Sequence, residues 1–390
     1  MYPGGGGRVK ASVDERLAPL CYVTKPGPSE LGGEYAEVGL RGKRLRLAIT
    51  ADPEIAVPPT LYGGIERIID MLVRGLVSRG HDVTLFAHPD SVVPCPVVAY
   101  PWTTFKSRTG TLRNTLLVST NILRGRFDIV HSFGRLAYMM PILPISGPKI
   151  MSYQREVTER SVIWGTRLSR GTLHFTGCSR HLVQQFLGNS NCHVVYNGVP
   201  ADTYKLRESV SVDAPLVFLG RVEEIKGPHL AVEIARRSGR SLVIAGNIPE
   251  GEAHQAFFKT HVAPYVNGEQ VRYVGPVNDA EKNELLGKAA AFLMPILWEE
   301  PFGIVMAEAL ACGTPVIGLN RGSVPEIVKH GVNGFVCGSI DEMIAAVGRL
   351  NEIDRAACRR IMEEKFSDMA VVDAYENLYF KLLGTAHPYA

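Results

Sequence analysis

The chain has 390 residues, 46% of them hydrophobic, and a formal net charge of +3. That length suits two or three domains with sizeable cores, and so mild a charge argues against nucleic-acid binding as the main task, so that any phosphate site must be local. No apolar run reaches the roughly 18 residues of a membrane-crossing helix, and the seven cysteines (Cys21, Cys95, Cys178, Cys192, Cys312, Cys337, Cys358) are scattered without a C-x-x-C pair, which reads as reduced thiols in a cytoplasmic protein with no zinc site. Residues 1–43 carry Gly4 to Gly7 and several charges without a signal-peptide pattern, and read as a mobile extension. From Leu45 onward apolar runs alternate with helical patterns, as in parallel α/β units. LRLAIT (Leu45 to Thr50) reads as a buried strand; after a loop, Ile65, Ile68, Ile69, Leu72 and Leu76 fall on one face of a helix that Gly80 stops, and VTLFA (Val83 to Ala87) is the next strand.

FDIVHSF (Phe127 to Phe133) reads as another strand, leading into a loop beside His131, and HFTGCS (His174 to Ser179) and HVVYNGV (His193 to Val199) continue the pattern. After a break near Pro200 to Pro215 a second set starts: LVFLG (Leu216 to Gly220), a helix opening at Pro228, LVIAG (Leu242 to Gly246), VRYVGPV (Val271 to Val277), AFLMPI (Ala291 to Ile296) and TPVIGL (Thr314 to Leu319). The economical fold is α/β, two doubly wound Rossmann-like domains facing a cleft, each presenting ligands outside the carboxyl ends of its strands. The expected divisions are 44–205, 206–365 and a terminal helix over 366–390 crossing back to the first domain.

After AFLMPI a turn, LWEEPFG, leads into a short helix expected to end at Cys312 before Gly313. Its leading amides, placed at Phe302, Gly303 and Ile304, lack intrahelical partners and sit at the positive end of the helix dipole, a natural phosphate site. Glu300 precedes the helix and Glu308 lies a turn inside it. Two acceptor-only groups flanking an anion site suit a molecule with hydroxyls on both sides of a phosphate, as in a nucleotide sugar; acidic residues near a helix start also serve simply to offset the dipole. The loop GRVEEIKG (Gly220 to Gly227) offers Arg221 and Lys226, able to turn toward one anion or to form a solvated basic turn. Gly63 and Gly64 precede the first helix, where a turn and a backbone approach to phosphate are both possible. No G-x-G-x-x-G follows a strand, which disfavours a dinucleotide dehydrogenase, and no Asp-x-Asp pair offers a metal clamp.

YGGIER (Tyr62 to Arg67), GRVEEIKG, WEEPFGIVMAEALACGTPVIG (Trp298 to Gly318) and RGSVPEIV (Arg321 to Val328) together resemble the retaining glycosyltransferases of family 4, with the GT-B fold. Glu300 and Glu308 meet that family's E-x7-E pattern. The resemblance implies that Arg221 and Lys226 grip the donor diphosphate, Glu300 contacts the sugar hydroxyls and Glu308 holds the ribose. It implies amides from Phe302 through Gly303 and Ile304 to Val305 against sugar and phosphate, and Val274, Gly275, Pro276 and Val277 near the base. It further implies that Gly64, beside Gly63, closes on the phosphates and that His131 touches the transferred sugar; a structural role for this loop histidine is the competing reading.

The expected activity is transfer of a hexose, glucose from UDP-glucose, to a hydroxyl acceptor with retention and without a metal or other cofactor. The alternatives are a phosphorylase or nucleotide-sugar epimerase on the same fold, or a catalytically silent sugar-nucleotide sensor. The stretch 106–126 holds Lys106, Arg108, Arg113, Arg124 and Arg126 with no acidic residue, interleaved with Leu112, Leu116, Leu117, Ile122 and Leu123. It reads either as a core-packed helix with a solvated basic side or as a peripheral contact with an anionic membrane.

Overall fold

The structure, a computed structural model, describes residues 43–59, 63–104 and 107–384. The expected extension lies outside them except for Lys43, as do Cys21, Tyr62 and Lys106.

Two parallel sheets organise the chain. The first contains β1 (Arg46–Thr50), β2 (Asp82–Ala87), β3 (Val97–Ala99), β4 (Ile129–Ser132), β5 (Lys149–Tyr153), β6 (Leu173–Gly177) and β7 (Cys192–Val194), in the order β3-β2-β1-β4-β5-β6-β7. Its helices are α1 (Gly64–Ser78), α2 (Arg108–Gly125), α3 (Leu136–Met139), α4 (Glu159–Leu168) and α5 (Arg180–Val183). The second contains β8 (Leu216–Leu219), β9 (Leu242–Ala245), β10 (Val271–Gly275), β11 (Ala291–Met294), β12 (Val316–Leu319) and β13 (Gly334–Cys337), in the order β10-β9-β8-β11-β12-β13. Around it run α6 (Pro228–Ser238), α7 (Glu252–His261), α8 (Asp279–Gly287), α9 (Ile304–Ala311), α10 (Val324–Ile327), α11 (Ile340–Val347) and α12 (Arg355–Phe366), and α13 (Asp368–Leu382) follows.

Each sheet is therefore doubly wound, and its strand order reverses beside β1 in one and β8 in the other. The crevice at such a switch point opens outside the carboxyl ends of the strands, which puts the loops after β1, β4, β8 and β11 at the ligand-binding edge. Edge strands β3 and β13 escape a reading by alternation because they are only three and four residues long.

Helix α1 buries Ile68, Ile69, Leu72 and Leu76, while Ile65 is half-buried. The other side of that cluster is α13, through Val371, Val372, Tyr375, Tyr379 and Phe380. Burying side chains of this size contributes about 1.5–3 kcal/mol each. Helix α12 packs instead into the second core through Cys358, Met362 and Phe366. The chain thus passes from one core to the other at Ser367, whose hydroxyl accepts from Ala370 N and caps α13. Six described cysteines are free thiols, five of them buried. Among the described residues no helix is long and apolar enough to cross a membrane.

Candidate active site

The turn after β11 is braced from the β12–α10 loop. Glu299 Oε2 accepts from Gly322 N at 2.6 Å, Ser323 N donates to Glu300 O at 2.9 Å, and Ser323 Oγ donates to Phe302 O at 2.8 Å. Gly322 has φ +54, and a Cβ there would stand 2.3 Å from Glu300 N, so only glycine lets the two backbones meet. Helix α9 opens at Ile304, capped by Gly303 at φ 71. This is later than the expected opening at Phe302, because Gly303 takes the left-handed conformation that ends the turn. The Ile304 and Val305 amides therefore lead the helix, and the Phe302 side chain is buried in the second core, edge-on to Phe366.

Glu300 is buried, and its Oε2 accepts from Lys226 Nζ at 2.6 Å and Trp298 Nε1 at 3.0 Å. The Lys226 ammonium also sits 4.4 Å from the centre of the Trp298 ring, a cation–π contact. The β8–α6 loop reaches this position because Gly227, at φ +76, comes against the Pro295 carbonyl, where a Cβ would stand only 2.0 Å away. Arg221, in the same loop, pairs with the buried Glu223 at 2.8 Å and is itself half-exposed. Each of the two expected cations thus has a carboxylate partner, and the structure joins Lys226 directly to Glu300.

Glu308 is also buried and forms a separate cluster. Its Oε1 accepts from Lys282 Nζ at 2.5 Å and from Tyr204 Oη at 2.8 Å. Lys282 also pairs with Asp279 at 3.2 Å, and Asp279 pairs at 2.8 Å with Arg67 of α1. A chain of charges therefore runs from the first domain to Glu308. The Arg67 and Lys282 partners hold the Asp279 carboxyl below its usual value against the opposing effect of burial. A cavity of about 240 Å³ opens here, lined by Arg67, Met71, Tyr204, Asp279, Ile304 and Glu308 among others. Ile304, at the start of α9, packs against both hydrophobic cores.

On the first-domain side Gly63 is buried and Gly64 exposed, and a Cβ added to Gly64 would meet no atom within 4 Å. A second contact between the domains lies at β6–α5, where the Glu326 carboxylate accepts from Arg180 N and His181 N, both at 2.7 Å, and Cys178 Sγ lies 3.6 Å from Pro301 O. At the edge of the second sheet Val274 is exposed, Gly275 has φ +74, and Gly275 O accepts from Gly246 N at 2.8 Å. Gly246 in turn abuts Gly220, so the stretch from Val274 through Pro276 to Val277 continues the same rim as the Arg221 loop. Among the described residues no group of three or more His, Cys, Asp or Glu is gathered where it could hold a metal.

His131 does not join this cluster. It is fully buried beneath α13, with Nδ1 2.7 Å from Tyr379 Oη and Nε2 2.6 Å from Ser152 Oγ. Ser152 Oγ continues the network to Thr176 Oγ1 at 2.5 Å and Tyr375 Oη at 3.0 Å.

Residues 62–203 match the family described as "Glycosyltransferase Family 4" and residues 209–365 the family described as "Glycosyl transferases group 1". The chain is a GT-B glycosyltransferase. Spore coat protein SA of Bacillus subtilis (strain 168) is 22% identical over 367 residues, covering 83% of this chain and 93% of the relative. N-acetyl-alpha-D-glucosaminyl L-malate synthase of Bacillus anthracis is 36% identical over 219 residues, 50% of this chain and 55% of its own. The Anabaena protein HepE, solved in complex with UDP-glucose, shares the fold with a TM-score of 0.65 at 16% identity, over 86% of this chain and 99% of its own.

Several groups of this glycosyltransferase gave no signal in the sequence. Lys282, Tyr204 and Asp279 are ordinary residues until the fold closes around Glu308, and only the placement of Lys282 and Asp279 on one helix after the VRYVGPV strand could have pointed to them; Arg67 and Trp298 lie in the YGGIER and WEEPFG motifs, but their contacts with Asp279 and Glu300 were not foreseen. Asp52, just after β1, was missed as well. Burial raises its carboxyl above the usual range, and among the described residues its Oδ1 has no hydrogen-bond partner.

Burial pushes the His131 imidazole down to about 3. The native state therefore holds it neutral, and the stability this gives is present above the ordinary value near 6.5 and lost as pH falls toward 3. At neutral pH His131→Gln is expected to cost the glycosyltransferase about 1–3 kcal/mol by disrupting the buried network. Melting curves should show the gap between parent and variant narrowing below about pH 6.5. A gap that widens on acidification would mean that the parent histidine is charged in the fold.

Proposed function

We propose that the protein is a retaining glycosyltransferase that moves glucose from UDP-glucose to a hydroxyl acceptor. The observation that carries this reading is the Lys226–Glu300 pair of 2.6 Å just before α9, with Arg221 on the same loop. Cleavage of a sugar–phosphate bond builds negative charge on the departing nucleoside diphosphate. Arg221, Lys226 and the leading amides of α9 are fixed donors suited to stabilise that charge, with no metal required. Glu300, held by Lys226 and Trp298, is oriented to accept from sugar hydroxyls. Glu308 gives one oxygen to Lys282 and Tyr204 and offers the other to the ribose hydroxyls. The rim from Val274 to Val277 faces the base, and Gly64 lets the first domain approach the phosphates. The acceptor attacks from the face the diphosphate leaves, and the leaving phosphate takes the acceptor proton. His131 serves as a buried strut beneath α13 in this scheme. The free, buried thiols suit a cytoplasmic setting.

HepE was solved with UDP-glucose, which favours that donor, while the name of the Bacillus anthracis relative makes N-acetylglucosamine the competing sugar. Thermal-shift assays with UDP, GDP, UDP-glucose, UDP-N-acetylglucosamine and GDP-mannose decide between them. A ligand present at about 100 times its dissociation constant adds about 2.7 kcal/mol of stability, enough to raise the melting temperature clearly. UDP and UDP-glucose should stabilise most, and transfer should survive EDTA. Stabilisation by GDP alone would overturn the donor, and activity lost to EDTA but restored by magnesium or manganese would overturn the metal-free scheme.

A further inference from the structure

Helix α2 divides its apolar side chains between two faces. Gly110, Asn114, Thr115, Val118 and Ser119 are buried and Leu117 and Ile122 pack against the core as expected, whereas Leu112, Leu116 and Leu123 are 59%, 53% and 58% exposed. A helix covering a sheet ordinarily turns its leucines inward. Here the inner face is fixed by Val118 in the core and by contacts with the preceding loop: Asn114 Nδ2 donates to Trp102 O at 2.8 Å, and Gly110 lies against the Trp102 ring. The core-packed reading of the leucines therefore fails for these three residues, which face away from the protein.

Helix α4 lies on the same side of the first sheet, since Val118 of α2 and Val162 of α4 belong to one core cluster. It too faces apolar side chains outward: Ile163 and Trp164 are 54% and 55% exposed, Leu168 is exposed, and the Arg167 guanidinium lies 5.9 Å from the Trp164 ring centre. The charge on this face is one-sided. Helix α2 carries exposed Arg108, Arg113 and Arg124 with no acidic residue, and α4 adds exposed Arg160 and Arg167 against Glu159.

Outward leucines, an interfacial tryptophan and surrounding arginines match the boundary between acyl chains and negative headgroups. We propose that the α2–α4 face docks this protein peripherally on an anionic phospholipid bilayer. The charge decides the occupant: a neutral apolar partner would cover the leucines but leave the arginines unpaired, whereas anionic headgroups pair with them while the leucines enter the acyl boundary. Both helices begin on the side where the strands of the first sheet end, so their first turns lie toward the ligand-binding edge. A hydroxyl acceptor carried by a lipid would approach the cleft from that side.

Co-sedimentation of the full chain with vesicles tests the proposal. Binding is expected to vesicles of equal parts phosphatidylglycerol and phosphatidylcholine, not to phosphatidylcholine alone, and should weaken with added salt. Arg113→Ser combined with Arg124→Ser should weaken it on the order of thirtyfold, from the usual attraction of two basic side chains to such a surface. Leu116→Ser with Trp164→Ser should also release the protein, while the melting temperature stays close to that of the parent because both side chains are already exposed. A blue shift of tryptophan emission on adding anionic vesicles, absent from Trp164→Ser, which keeps the other two tryptophans, gives a second readout. Three results would each overturn the proposal: no binding to anionic vesicles, binding that both double variants retain, or a concentration-dependent dimer in light scattering that Leu116→Ser dissolves, which would make this face an interface between copies of the chain.

Discussion

Lys226→Ala is expected to lower turnover by roughly 10²-fold or more, and to lower the melting temperature as well. In the proposed donor complex its ammonium meets charge that grows as the diphosphate leaves, so removing it is felt mainly in the transition state. The loss of stability has a separate origin. The Lys226 and Glu300 side chains are only 17% and 10% exposed, and without the lysine a buried carboxylate keeps Trp298 Nε1 alone. Breaking a fully buried pair costs about 3–5 kcal/mol; this one reaches the cleft and should cost less. Arg221→Ala should lower turnover as far. It also leaves a buried carboxylate without its cation, Glu223 being only 8% exposed, but because the arginine itself is 40% exposed the melting temperature should fall less than in Lys226→Ala. Adding Glu300→Gln to Lys226→Ala should restore part of the stability but none of the turnover. Steady-state rates and melting curves on the same preparations check all three variants. If both single variants turn over like the parent, the diphosphate assignment is wrong.

The arrangement of the β11–α9 turn was legible in the sequence because its signals are local. A strand, a tight turn, two glutamates and a helix start fall within about twenty residues, and RGSVPEIV supplies the brace that holds the turn. The fold class was legible for a similar reason, as runs such as LVIA and AFLM are continuous apolar strands buried on both faces, which marks a parallel sheet. What escaped depends on distant contacts. The burial of His131 is set by Tyr379 in the last helix, and no feature of FDIVHSF announces it. The orientation of α2 depends partly on Trp102, against which Gly110 packs and whose carbonyl Asn114 holds, and no pattern within the helix announces that contact. Glu326 looks like an ordinary acidic residue after a proline until α5 places two amides on its carboxylate.

The two glutamates should separate by what they bind, and the structure sharpens the expectation. Glu308 Oε1 is already committed to Lys282 and Tyr204, so in the proposed donor complex the carboxylate would meet the nucleotide with its orientation fixed and its charge partly balanced. Glu308→Gln removes that charge and replaces one acceptor by a donor facing either Lys282 or the ribose. A charge-assisted hydrogen bond contributes about 1.5–3 kcal/mol, so free UDP and the donor should both bind roughly tenfold to a hundredfold more weakly. Tyr204→Phe leaves the carboxylate charged but less well held, and should weaken free UDP by a smaller factor in the same direction. Glu300 lies instead beside Lys226, where the sugar is expected. Glu300→Gln should leave free UDP binding nearly unchanged and lower turnover by about 10²-fold, because the sugar is no longer held in line for attack. Calorimetry with UDP and with UDP-glucose, together with turnover of the same variants, reads the difference. If both glutamine variants lose free UDP affinity equally, then sugar and ribose are not divided between the two carboxylates, and the donor must lie in the cleft in another orientation.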